Sequence, residues 1–145
     1  MTNIQERSGY PLGRTARLAL GAWSLLLLCG FAVAASLEPD PRGYGTHQAL
    51  GLPPCTFREL LGIPCPSCGM TTSVSNYVRG RFGDAAQANC GGFVLATLGL
   101  VQIPWCWASI FSKRLWGIEQ PDVALFWMLI VVCGTMLLQW LLRVI

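Results

Sequence analysis

The 145-residue sequence is poor in charge: Asp, Glu, Lys and Arg together make up 12% of it. Soluble domains carry about twice that share. So few charges cannot cover a water-facing globule, and a lipid-facing surface follows. There is one histidine, His47, and no His-Glu-x-x-His pair. That closes most routes to metallohydrolase chemistry. The sequence has no GxxxxGK[ST] loop and no GxGxxG after a strand pattern, so nucleotide-phosphate cradles are missing. The ten basic residues form no stripe with interleaved aromatics, which argues against a nucleic-acid partner. Internal repeats, low-complexity tracts and a soluble second domain are also lacking.

What is abundant is apolar sequence, at 53%. Residues 18–37, 91–111 and 123–142 are three uncharged runs. Twenty helical residues rise about 30 Å, the thickness of a bilayer core. The expected fold is therefore all-α: an integral membrane protein with three transmembrane helices, residues 18–145 forming one membrane domain. Pro104 should kink the second span. Trp105 and Trp107 stand where indoles anchor at an interface, and Gln102 is that span's strongly polar side chain. Residues 1–17 read as a mostly unstructured cytoplasmic tail, with Pro11 and Gly13 opposing helix. Arg14 and Arg17 before an apolar run, with Ala32-Val33-Ala34 near its end, also resemble a cleavable signal peptide.

Segments 1–17 and 112–122 hold five Lys/Arg in 28 residues, whereas 38–90 and 143–145 hold five in 56. By the positive-inside bias the N-terminus is cytoplasmic and loop 38–90 is extracytoplasmic, in the inner (plasma) membrane.

The loop is centred on Pro64-Cys65-Pro66-Ser67-Cys68-Gly69-Met70-Thr71-Thr72. Short interfacial helices are expected in it. One carries Phe57, Leu60, Leu61 and Ile63; another, capped by Thr71 or Thr72, runs to about Arg79, shows Val74, Tyr77 and Val78 on one face, and is broken by Gly80 and Gly83. Thr71, Thr72, Ser73, Ser75 and Asn76 are expected as caps and a solvated face, or else as the polar lining of a small-ligand or ion cavity.

Cys29, Cys106 and Cys133 fall inside spans and read as packing residues. Cys55, Cys65, Cys68 and Cys90 fall in or beside the loop, and three chemistries fit them. Structural disulfides suit an oxidising compartment. A metal site suits a Cys-Pro-x-Cys-Gly turn, which directs two thiolates at one ion; Cys55 is the natural third sulfur, His47 or Cys90 the fourth ligand, and zinc the natural metal. Thiol–disulfide exchange suits Cys65 and Cys68 ahead of a helix, although no βαβ pattern supplies a thioredoxin-like scaffold. No complete catalytic constellation is present. The expected role is non-enzymatic: an accessory or partner protein whose loop is fixed by disulfide or metal at Cys55, Cys65 and Cys68, with a membrane protein or a second copy as partner. A membrane oxidoreductase or metal-handling protein using Cys65 and Cys68 is the alternative.

Cys55, Cys65-Pro66-Ser67-Cys68-Gly69-Met70-Thr71, the stretch Gly80 to Asn89 and the two apolar runs after it resemble an uncharacterised bacterial family of small membrane proteins. That family is a domain of unknown function with a Cys-Pro-x-Cys-Gly-x-Thr-Arg motif, and the resemblance covers roughly residues 50–142. Thr72 replaces the motif's arginine, and Cys90 replaces the proline that tends to follow Asn89. The resemblance implies membrane location and a cysteine-centred loop, without an activity.

Overall fold

The computed structural model describes residues 9–145. Three long helices organise it: α1 (Arg14–Ser36), α5 (Cys90–Ser112) and α6 (Pro121–Val144). Each is long and apolar enough to cross a membrane. At about 1.5 Å per residue, their 23, 23 and 24 residues span about 35 Å. α1 begins four residues before the uncharged run, with Arg14 exposed and Arg17 half-buried in its first turns. α6 begins at Pro121, where a missing N–H costs nothing. α5 runs on through Pro104.

α5 is central, with α1 and α6 both packed on it. Small residues let its neighbours approach. A Cβ on Gly92 would stand 2.9 Å from Ser73 Cβ, and one on Gly91 2.7 Å from Met136 Cβ. Gln102 ties the three spans together. Its Oε1 accepts from Trp23 Nε1 of α1 at 3.1 Å, and its Nε2 reaches Met128 Sδ of α6 at 3.1 Å. No residue of α6 is fully buried. Its apolar faces are left to lipid.

Residues 10–12 are paired, contrary to the expectation of an unstructured tail. Tyr10 N–H donates to Ile118 O, Leu115 N–H to Tyr10 O, and Leu12 N–H to Lys113 O. The start of the chain and the α5–α6 turn thus meet at one end of the bundle. The remainder of the tail, residues 1–8, lies outside the described residues.

The loop occupies the other end. It contains a 3-10 turn (Thr46–Leu50), α2 (Thr56–Leu61), α3 (Met70–Tyr77) and α4 (Phe82–Ala88). Two local expectations are corrected. Neither Thr71 nor Thr72 caps α3; Gly69 holds the N-cap position, and both threonines lie within the helix. Gly83 does not break a helix but lies inside α4, while Gly80, at φ +74°, makes the break.

α3 also reverses the expected solvated face: Thr72, Ser73, Ser75 and Asn76 are buried. Remote carbonyls satisfy the serines. Ser75 Oγ lies 2.9 Å from Ala34 O and 2.6 Å from Leu37 O at the end of α1. Ser73 Oγ is 2.8 Å from Ala85 O and 2.9 Å from Asn89 O. Arg79 adds Nη donations to Ala34 O and Ala35 O. The free carbonyls that end α1 are thereby satisfied by Ser75 of α3 and by Arg79 just beyond it rather than by a cap of their own. From the far side, Gln139 Oε1 accepts from Cys90 N–H at 2.5 Å, and Arg143 donates to the carbonyls of Gln87 and Ala88. The loop is fastened to the ends of all three spans.

Candidate functional site: three sulfurs at the bundle end

Cys65-Pro66-Ser67-Cys68 closes as a β-turn, with Cys68 N–H donating to Cys65 O at 3.0 Å. Pro66 supplies the fixed φ that suits the second position of such a turn. Both sulfurs then sit on one side. Gly69 follows in the left-handed region at φ +86°. A Cβ there would stand 2.5 Å from Ala88 O and 2.6 Å from Gly43 O, so the chain passes between two backbone segments at this point.

Three partners hold the turn. Asn89 Nδ2 donates to Pro66 O at 3.0 Å and Cys68 O at 3.1 Å. Its Oδ1 accepts from Gly92 N–H at 2.8 Å, capping α5. Trp140 Nε1, on α6, donates to Pro64 O at 2.6 Å. Arg58 Nη1 lies 3.8 Å from Cys68 Sγ, and its guanidinium stacks 3.6 Å from the centre of the Tyr44 ring.

Cys55, at the start of α2, brings the third sulfur. The sulfurs of Cys55, Cys65 and Cys68 all lie within 4.8 Å of one another. Cys68 is buried; Cys55 and Cys65 are half-buried. All seven cysteines are unbridged. His47 is not part of the cluster: its Nε2 is 3.2 Å from Pro53 O. It does share with the sulfurs, Thr71 and Thr72 the wall of a cavity of about 350 Å³. Cys90 stays apart, its thiol donating to Ala86 O at 3.3 Å. Thr72, which replaces the arginine of the resembling motif, is fully buried, with Oγ1 2.8 Å from Thr46 Oγ1.

The thiols are electrostatically unequal. The Arg58 backbone N–H, in the first turn of α2, holds the Cys55 thiol below its usual value against the opposing effect of burial. Burial pushes the Cys65 thiol up, and the Ser67 hydroxyl, 3.4 Å away, opposes this only in part. Cys55 is therefore the more readily ionised of the two.

Residues 55–103 match the family described as Protein of unknown function (DUF2752). The matched stretch begins at the first sulfur of the cluster and ends inside α5. It takes in the cysteine turn, α3, α4 and Asn89, and leaves out α1 and α6. It is thus narrower than the 50–142 of the sequence resemblance. No curated protein and no solved structure matches the chain.

Asn89, Arg58, Trp140 and Thr46 are the site residues that sequence reasoning missed. Two carried a signal. Asn89 immediately precedes an apolar run, a favoured N-cap placement. Arg58 lies one helical turn after Cys55. Nothing local marks Trp140 or Thr46, whose partners are 76 and 26 residues away.

Proposed function

We propose that the cluster is a three-thiolate metal centre that fixes the loop of a small, non-enzymatic membrane protein, making the loop a rigid surface for a partner. The carrying observation is the mutual approach of three sulfurs within 4.8 Å. Zinc–sulfur bonds of about 2.3 Å put two thiolates on one ion about 3.8 Å apart, a spacing inside that limit. The cavity beside the sulfurs leaves room for a fourth ligand, and His47 on its wall is the protein's own candidate. Arg58 offsets the negative charge that three thiolates bring. The positive-inside bias supports the N-terminus in the cytoplasm and the site on the outer face of the inner membrane.

A second reading, thiol–disulfide exchange, is favoured by the odd number of sulfurs. A bridge between any two leaves a third thiol within reach of it, the arrangement that exchange needs.

Metal analysis with free-thiol mass spectrometry on protein purified without chelator or reductant separates the two. Metal binding predicts about one equivalent of zinc, three unoxidised loop thiols, and loss of the metal in Cys55→Ser, Cys65→Ser and Cys68→Ser but not in Cys90→Ser. Metal-free protein with one bridged pair among the three would sink the metal centre and favour exchange. Labelling of these thiols by an impermeant reagent in intact cells, after chelation and reduction, tests the orientation. Labelling only after lysis reverses it.

A further inference from the structure

A second, larger cavity lies behind the cysteine turn, between residues 39–44, α2, α4 and the C-terminal end of α6. Its volume is about 660 Å³. Four guanidinium-bearing side chains from separate parts of the chain line it: Arg42, Arg58, Arg81 and Arg143. Two carboxylates, Asp40 and Asp84, share the wall.

The charges do not cancel. Asp40 is taken up by Arg42, with Nη2 to Oδ2 at 2.6 Å and Nε 3.0 Å from Oδ1. Among the described residues, Arg58, Arg81 and Arg143 have no carboxylate within ion-pair distance. Arg58 is half-buried between the Tyr44 ring and Cys68. The Arg81 side chain makes no hydrogen bond to a described residue. Three guanidinium groups against Asp84 leave the cavity with a net charge of about +2; Arg58 is half-buried, whereas Arg81, Arg143 and Asp84 are exposed.

The geometry points to a binding site for a phosphate-bearing anion, in the first instance the headgroup of an anionic phospholipid. Planar guanidinium forks match phosphate oxygens, and several can converge on one tetrahedral group. The volume exceeds what a bare ion fills and admits a glycerophosphate. The position supports the lipid source: Arg143 lies in the last turn of a span, the depth at which headgroups begin. The site borders the metal centre through Arg58 and Cys68, while Arg42, Arg81 and Arg143 supply its charge from outside the sulfur cluster.

The test uses the full-length protein in detergent. Dioleoyl phosphatidylglycerol and dioleoyl phosphatidylcholine are titrated in native mass spectrometry, and inorganic phosphate is added as competitor. Retention of phosphatidylglycerol about tenfold above phosphatidylcholine is expected. Arg81→Gln should lower that preference several-fold, and Asp84→Asn should raise it. These side chains are exposed, and a folding defect cannot move the two variants in opposite directions. Preference that survives millimolar phosphate identifies the lipid headgroup; preference abolished by it identifies free phosphate or a soluble phosphate ester, and both retain the anion site. Equal retention of the two lipids, with no phosphate binding by calorimetry, overturns the proposal. So does a phosphatidylglycerol preference that neither variant alters.

Discussion

Asn89 binds the Cys68 carbonyl through Nδ2, at 3.1 Å, while its own Oδ1 caps the central span at Gly92. One side chain thus couples the start of α5 to the turn that presents two of the three sulfurs. The buried amide spends its donors on the turn and its acceptor on the helix, so the two functions can be separated by mutation.

Asn89→Asp keeps the capping acceptor and loses the donations to Pro66 and Cys68. Asn89→Ala loses both. The alanine variant is expected to cost about 2–4 kcal/mol, combining a lost cap with buried carbonyls left unpaired. The aspartate variant, whose second carboxylate oxygen would face the Pro66 and Cys68 carbonyls in a buried site, should be no more stable than the alanine variant despite its cap and should bind metal as poorly. Unfolding in detergent, with zinc affinity measured on the same samples, checks both. Equal zinc affinity in wild type and Asn89→Asp would remove Asn89 from any role in placing the sulfurs.

Gly69→Ala should destabilise by more than about 2 kcal/mol. The added Cβ would meet two backbone oxygens within 2.6 Å, at a φ of +86°. Neither oxygen belongs to a side chain that could swing away. Thermal unfolding in detergent measures the loss. Gly134→Ala serves as the control because its Cβ meets nothing within 4 Å.

Metal-free, reduced protein should alkylate unevenly. The Cys55 thiol, lowered by the Arg58 N–H, reacts at a pH below that of an ordinary thiol; Cys65, raised by burial, requires a higher one. The sign follows from the thiolate being the nucleophile: a lower value gives more thiolate at neutral pH. Site-resolved alkylation rates from pH 6 to 10 by peptide mass spectrometry should show the Cys55 profile displaced to the acid side of the Cys65 profile. Coincident profiles would contradict the inequality.

Gln102→Leu removes the contacts with Trp23 and Met128 but preserves volume. Hydrogen bonds between spans contribute about 0.6 kcal/mol on average, so a loss of about 1 kcal/mol or less is expected. Reversible unfolding in mixed micelles is the appropriate measurement. A loss above about 3 kcal/mol would mean that Gln102 organises the bundle rather than merely bridging it.

The three spans were legible in the sequence because span length and uncharged composition are local properties imposed by the bilayer. The start of α6 at Pro121 and the Asn89 cap are local too: a residue's own N–H, or a side-chain oxygen three residues away, decides them. The trio Cys55, Cys65 and Cys68 was nominated from the sequence, with His47 or Cys90 as the fourth ligand, but its closure was not a local property. Ten residues separate Cys55 from Cys65, and that spacing permits many distances. The β-turn, the path of α2 and the grip of Trp140 on Pro64 bring the three sulfurs together, while His47 turns to Pro53 and Cys90 to Ala86. The polar face of α3 carried the opposite of its apparent meaning for the same reason. Thr72, Ser73, Ser75 and Asn76 resemble a solvated surface in sequence, yet the serines' partners are carbonyls of α1 and the α4–α5 junction, supplied from 12 to 41 residues away. The sequence by itself determined a three-span helical membrane protein with a cysteine-bearing loop at one end. Only the tertiary structure decided how closely the nominated sulfurs approach, that His47 and Cys90 stand apart from them, and which polar side chains are interior, because hydrogen-bond partners and sulfur–sulfur distances are set by chain segments remote from the residues they serve.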